Sequence, residues 1–199
     1  MTLRAGVLVC ALLAAMPAAA ADPGDAKAAA APDYEEAAAA WERQEVAFVY
    51  MGFTTRYSCG GLKSKVKLLL KHLGARPDIK ISERGCEFGF QHVADFPHLK
   101  VAFYAPAIPE EGARDVGEPV LGVWKPVVIK RNEPRGLEMG DCELVEIFRD
   151  RIISRLATRE MQDDVNCIPR QLVGNRINLS FEVLTGIQPV DTAANALRP

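Results

Sequence analysis

Long apolar runs, histidines and aromatic side chains are all scarce in this chain, and each shortage excludes something. Beyond the first residues no stretch holds the ~20 uninterrupted apolar residues that a helix needs to cross a bilayer. There is no Cys-x-x-Cys, which argues against a zinc knuckle and against a thioredoxin-like redox centre. No G-x-S-x-G, P-loop or dinucleotide-binding pattern occurs, and neither Ser58 nor Ser64 stands in the context of a catalytic nucleophile. Neither sign of charge dominates: 24 Lys and Arg stand against 26 Asp and Glu, and the pI is about 6.0. That balance is wrong for a protein that coats nucleic acid with its whole surface. What the chain does have is 199 residues, 49% of them hydrophobic and 25% charged, the proportions of a folded globular protein.

The first residues carry an address. Arg4 supplies a positive start, Gly6 to Ala15 form a short apolar stretch, and Ala19-Ala20-Ala21 offers a small-residue cleavage site before Asp22. Residues 1–21 are therefore expected to be a signal peptide, and the mature protein to be periplasmic or secreted, of bacterial source, without a transmembrane segment. Cys10 lies close to Arg4 and lacks the small residues that precede a lipidated cysteine. Loss of Cys10 with the signal leaves Cys59, Cys86, Cys142 and Cys167, an even number in an exported chain, which predicts two disulfides.

An internal repeat is the strongest organisational signal. Counted from Cys59, apolar residues fall at Leu62, Leu69 and Leu73; counted from Cys142, they fall at the same offsets as Val145, Ile152 and Leu156. Arg76 and Arg159 also share one offset. Each half continues with a short extended segment, a second cysteine, a loop and an alternating strand, Leu99–Phe103 in the first and Ile177–Val183 in the second. A β-rich run precedes each first cysteine, Val46–Phe53 and Val120–Ile129. The expected fold is α+β: two tandem strand-helix-strand-strand repeats, about 45–105 and 119–185, packed as a two-layer sheet and helix body. Ala105 to Pro119 reads as the connection. If equivalent cysteines do equivalent work, Cys59 pairs with Cys86 and Cys142 with Cys167, one bridge per repeat; bridges between repeats are the other possibility. Residues 22–42 read as an N-terminal extension without a strand signal, able to form a short helix through Glu42, ahead of a duplicated domain over 43–187. Residues 188–199 read as a loose tail.

Both helices are well marked. In the first, Leu62, Val66, Leu69, Leu70 and Leu73 define one buried stripe, and Gly74 is placed as a stop. In the second, Asp141 is placed to cap the start, with Glu143 and Glu146 early and Arg149, Arg151 and Arg155 late, an order that complements the helix dipole. Its composition asks for no functional explanation.

Three places compete as sites. The first helix and its flanks carry Arg56, Lys63, Lys65, Lys67, Lys71, Arg76, Lys80 and Arg84 against Asp78 and Glu83, a basic patch in a chain that is acidic overall. Lys63, Lys65, Lys67, Lys71 and Arg76 form its candidate binding face. Such a face suits an anionic envelope component or an acidic protein, rather than nucleic acid; the plainer reading is a solvated helix surface. The loop from Glu87 to His98 holds three aromatic residues and two of the three histidines, and long loops of this kind concentrate binding functions. Within it His92, Asp95 and His98 supply the ligand types of a metal site, although their spacing matches no ligand pattern and the plainer reading is surface histidines over packed phenylalanines. Gly60-Gly61, before the first helix, lacks the context of an anion-binding turn. The leading expectation is thus a non-enzymatic binding or accessory module without a cofactor, contacting an envelope component or protein through the basic helix or the aromatic loop. A metal-binding protein is the alternative, and an enzyme whose residues converge from distant segments is the third.

Overall fold

The computed structural model describes residues 34–85, 93–110 and 117–187. The described residues form six strands: β1 (Glu36–Val49), β2 (Lys80–Arg84), β3 (His98–Ala107), β4 (Pro119–Lys130), β5 (Thr158–Asp163) and β6 (Asn178–Ile187), with buried apolar residues alternating most clearly along β3 and β6. They form one antiparallel sheet in the order β2-β3-β1-β4-β6-β5. The order is symmetric about the central β1–β4 pair. Strand β1 spends Glu36–Ala40 on β4 and Ala40–Val49 on β3, and β4 pairs Leu121–Lys130 with β6. Two helices, α1 (Cys59–His72) and α2 (Cys142–Arg151), follow β1 and β4 in the chain. The molecule is thus α+β, mostly antiparallel sheet with two helices.

Both helices bury their apolar stripes in one core. Leu62, Val66, Leu69 and Leu70 of α1 and Leu144, Val145 and Phe148 of α2 are closed to solvent, packed with Val46, Phe48, Val101, Phe103, Ile129, Leu179 and Phe181 from the sheet. Each large side chain so buried contributes ~1.5–3 kcal/mol, which is what holds two short helices that water alone would unwind. Ser58 caps α1 by accepting from the Gly61 N–H at 3.1 Å. At the other end Gly74 takes φ +75°; its N–H reaches the Lys71 carbonyl while the Ala75 N–H reaches that of Leu70, both at 3.1 Å. This is the left-handed glycine termination that the sequence predicts. Gly74 also faces Thr185 of β6 so closely that a Cβ there would lie 2.6 Å from its methyl group.

The expectation for residues 22–42 is corrected: Glu36–Glu42 are strand. Alanine is the best helix former, and an isolated reading of Ala37–Ala40 favours helix or no structure. Pairing overrides that preference. Ala37–Ala39 lie opposite Gly122, Leu121 and Val120, and a Cβ on Gly122 would sit 3.0 Å from that of Ala39, so small residues let the central strands meet. At its other end β1 stops at Val49 instead of continuing to Phe53, and residues 50–58 become a connection.

Cys142, the first residue of α2, is bridged to Cys167 beyond β5, with Cα atoms 5.6 Å apart. Cys59 is also disulfide-bonded, and Cys86, its expected partner, lies outside the described residues.

Away from the helices, the sheet carries two clasps of the same design. The Arg76 guanidinium lies 5.7 Å from the Trp41 ring and 3.9 Å from the Tyr104 ring, and that of Arg159 lies 4.4 Å from the Trp124 ring. Arg76 pairs with Glu118 at 3.1 Å and Arg159 with Glu35 at 2.8 Å. The Trp41 N–H donates to the Glu118 carbonyl, and the Trp124 N–H to that of Glu35. Glu35, Trp41 and Arg76 precede Glu118, Trp124 and Arg159 by one constant spacing, the spacing of Cys59 to Cys142.

Candidate functional site

Three connections meet at one end of the molecule. Residues 50–58 lead from β1 into α1, residues 93–97 lead into β3, and residues 168–175 follow the disulfide. They are tied together by main-chain and side-chain bonds. The Tyr50 N–H donates to the Pro97 carbonyl at 3.0 Å, Ser58 and Val93 form an isolated antiparallel bridge, and Arg56 is paired with Asp95. The Arg170 N–H donates to Thr54 Oγ1 at 3.0 Å, and its guanidinium lies 5.8 Å from the Phe53 ring.

These loops hold their apolar side chains outward. Met51, Phe53, Val93, Phe96 and Leu172 are about half exposed, and Val173 is 87% exposed. A single exposed apolar residue is ordinary; six on three loops, the second and third each bonded to the first, are not, and groups of exposed apolar residues mark contact surfaces. Between the first and third loops lies a cleft of about 880 Å³, walled by Thr54, Thr55, Leu137, Met139, Gly140, Leu172 and Val173, with Arg131, Asn132 and Glu138 also on its lining.

Beneath the cleft is a polar lock. Asp141 is 2% exposed; its Oδ1 accepts from the Tyr57 hydroxyl, and its Oδ2 accepts from Lys65 Nζ at 2.6 Å and from the Glu138 N–H at 2.7 Å. Lys65 also donates to the Gly136 carbonyl at 2.6 Å. Buried Glu143 accepts from the Thr54 N–H at 2.9 Å and from its hydroxyl at 3.3 Å. Tyr50 donates to the Thr55 carbonyl at 2.7 Å, its ring 5.1 Å from that of Tyr57. The lock thereby joins the loop before α1, α1 itself and the start of α2.

Burial, then the hydrogen bond given to Asp141, push the Tyr57 hydroxyl far above its usual range; burial, then the charges of Glu143 and Asp141, do the same to Tyr50. Both tyrosines stay neutral donors throughout the physiological range. Among the described residues no buried side-chain polar atom lacks a partner, so the lock fixes the cleft's shape and offers it no unengaged acid or base. The third loop has its own brace: Asn175 accepts from the Ile168 N–H at 2.6 Å and donates to the Gln171 carbonyl at 2.7 Å. The arrangement is suited to holding a surface in place for binding.

The structure disperses the basic helix face. Lys63 is paired with Glu83 at 2.9 Å, and Lys65 is turned inward to Asp141. Arg76 is held by Asp78 at 2.8 Å and by Glu118, and it lines a separate cleft of about 690 Å³ with Trp41 and Tyr104. Only Lys67 and Lys71 of the five are exposed. Of the three residues considered for a metal, His92 lies outside the described residues, Asp95 is engaged by Arg56, and His98 opens β3 opposite Val49 and Arg84. Among the described residues no cluster of three or more His, Cys, Asp or Glu is placed to hold an ion. Phe96, from the aromatic loop, is in the apolar cluster.

Sequence reading misassigned Asp141 and overlooked its partners. Asp141 makes no side-chain cap to α2; its carboxylate is consumed by groups from α1 and the preceding turn. An acid at a helix start has an obvious local use, and nothing local distinguishes that use from a long-range one. A signal for the clasps was present: the chain has two tryptophans, and they are spaced as Cys59 and Cys142 are. The chain matches no protein-family model, no curated protein and no solved structure.

Proposed function

We propose that this protein is an exported, disulfide-stabilised binding module, non-enzymatic, that contacts an envelope component or protein through the loop end bearing Met51, Phe53, Val93, Phe96, Leu172 and Val173. The observation that carries this reading is the exposure of these six side chains on three loops, two of which are each bonded to the third, residues 50–58. Export rests on the n-region, apolar stretch and Ala-rich site of residues 1–21. No helix among the described residues is long and apolar enough to cross a membrane.

We also propose that the domain arose by duplication of a strand-helix-strand-strand unit. The constant spacing of the Glu, Trp, Arg and Cys residues and the reciprocal clasps support it: the arginine of each half pairs with the glutamate that opens the other. Such exchange of identical contacts is the pattern of a two-fold interface.

The test of the binding reading is photo-crosslinking in the producing cell. A crosslinking residue placed at Phe53 or Val173 should trap a discrete species, while one at Lys130 should not. Equal trapping from all three positions, or none from any, sinks the reading.

A further inference from the structure

We infer that the cleft beside these loops receives a short acidic segment of a protein partner, anchored by a large apolar side chain. This rests on the loop end being the contact surface and adds the class of its partner.

The argument is shape and charge together. Apolar loop tips alone would suit a bilayer, but a bilayer leaves a cleft of about 880 Å³ unfilled. That volume lies in the range of ordinary ligand pockets, roughly 300–1,000 Å³. Its wall of Leu137, Met139, Leu172 and Val173 offers an apolar seat, and Phe53 is the chain neighbour of the lining residue Thr54. A partner segment with one large apolar residue finds there the kind of pocket in which binding energy concentrates.

Charge selects the flanks of that residue. Arg131 on the lining and Arg170, whose N–H bonds to the lining residue Thr54, are exposed and make no ion pair among the described residues. Against these two cations the lining carries one acid, the exposed Glu138, so positive charge stays in excess there. Aspartate or glutamate beside the anchor would meet both arginines, which favour carboxylates through their planar donor geometry. The lock and the Cys142–Cys167 bridge fix the loops in advance, so little ordering cost attends binding.

The experiment is selection of displayed random peptides on the intact mature protein, followed by titration of a recovered peptide against variants. The expected outcome is enrichment of sequences that combine Asp or Glu with one or two large apolar residues. Val173→Asp and Leu172→Asp should each weaken the recovered peptide by about tenfold or more, the loss that follows from removing one buried aliphatic contact. Arg131→Glu should weaken it and flatten its salt dependence, whereas Arg151→Glu, at the far end of α2, should not. Because Val173 is 87% exposed, its substitution leaves folding intact, so a loss reports the site. Absence of enrichment, enrichment of basic sequences, or unchanged affinity in these variants overturns the inference. If anionic phospholipid vesicles bind and peptides do not, with the same variants abolishing vesicle binding, the inference falls to a bilayer partner while the loop-end reading stands. Crosslinks from Phe53 without any recovered peptide would mean a folded partner face; no crosslink would remove the reading itself.

Discussion

Tyr57→Phe deletes one oxygen and tests whether the polar lock is what shapes the loop end. Tyr57 is 8% exposed and Asp141 2% exposed, so water cannot take the place of the lost donor. A hydrogen bond to a buried charged group contributes ~1.5–3 kcal/mol, and the ring's packing against Tyr50 is retained in the phenylalanine variant. The expected loss is about 2 kcal/mol, measured by urea unfolding with an unchanged slope, or a Tm lower by about 4–8 °C for a chain of this size. Asp141→Ala should cost more, about 3–5 kcal/mol, because it strands Lys65, which is mostly buried beside it. In the double variant the two losses should fall short of their sum by most of the hydrogen-bond energy. The same lock sets a pH dependence. Tyr57 and Tyr50 have hydroxyl pKa values raised by burial, so their stability contribution is complete below about pH 10, where unfolded tyrosine titrates, and declines above it as only the unfolded chain releases protons. Each tyrosine held neutral should subtract about 1.4 kcal/mol per pH unit above that point, and Tyr57→Phe should halve the slope. A Tyr57→Phe loss below 0.5 kcal/mol, about the scatter of surface substitutions, with an unaltered alkaline slope, would refute the lock.

Further expectations concern the covalent and backbone restraints. Cys142→Ser with Cys167→Ser should lower stability by about 3 kcal/mol, from a closed loop of sequence separation 25, and should raise hydrogen exchange in residues 168–175 first. Gly74→Ala should cost about 1–3 kcal/mol in chemical denaturation, since it combines a left-handed φ with a contact at 2.6 Å to Thr185; a neutral result would mean that the α1 terminus relaxes freely. Arg76→Leu and Arg159→Leu should lower Tm by similar amounts, and lysine should not restore either, because a lysine lacks the planar face that stacks on Trp41 and Trp124. Grossly unequal losses would deny the equivalence of the two clasps.

How far the site was legible depends on the range of the interactions that make it. Phe96 belongs to the aromatic loop that sequence reading singles out, because loop position and composition are local properties. Leu172 and Val173 carry no such local signal, since exposure of an apolar residue cannot be read from its neighbours in sequence. The basic residues show the same limit in reverse: Lys63, Lys65 and Arg76 look alike in sequence, yet their partners Glu83, Asp141 and Glu118 arrive from other parts of the chain. The strand at Glu36–Glu42 was hidden by alanine, whose helix preference is strong and whose lack of bulk is what the central pair requires.

The sequence by itself determined the stripe and termination of α1, the alternating strands β3 and β6 and the β-rich run of β4, because periodicity and capping act within one element or its neighbour; it favoured Cys142 with Cys167 over a bridge between repeats, and the structure decided it. Only the tertiary structure decided that Ala37–Ala40 is strand, that Asp141 serves the lock, and that loop 50–58 is bonded to both loop 93–97 and loop 168–175. Those outcomes depend on partners far apart in the chain, and a single sequence read along its length carries no information on which distant partner will be met.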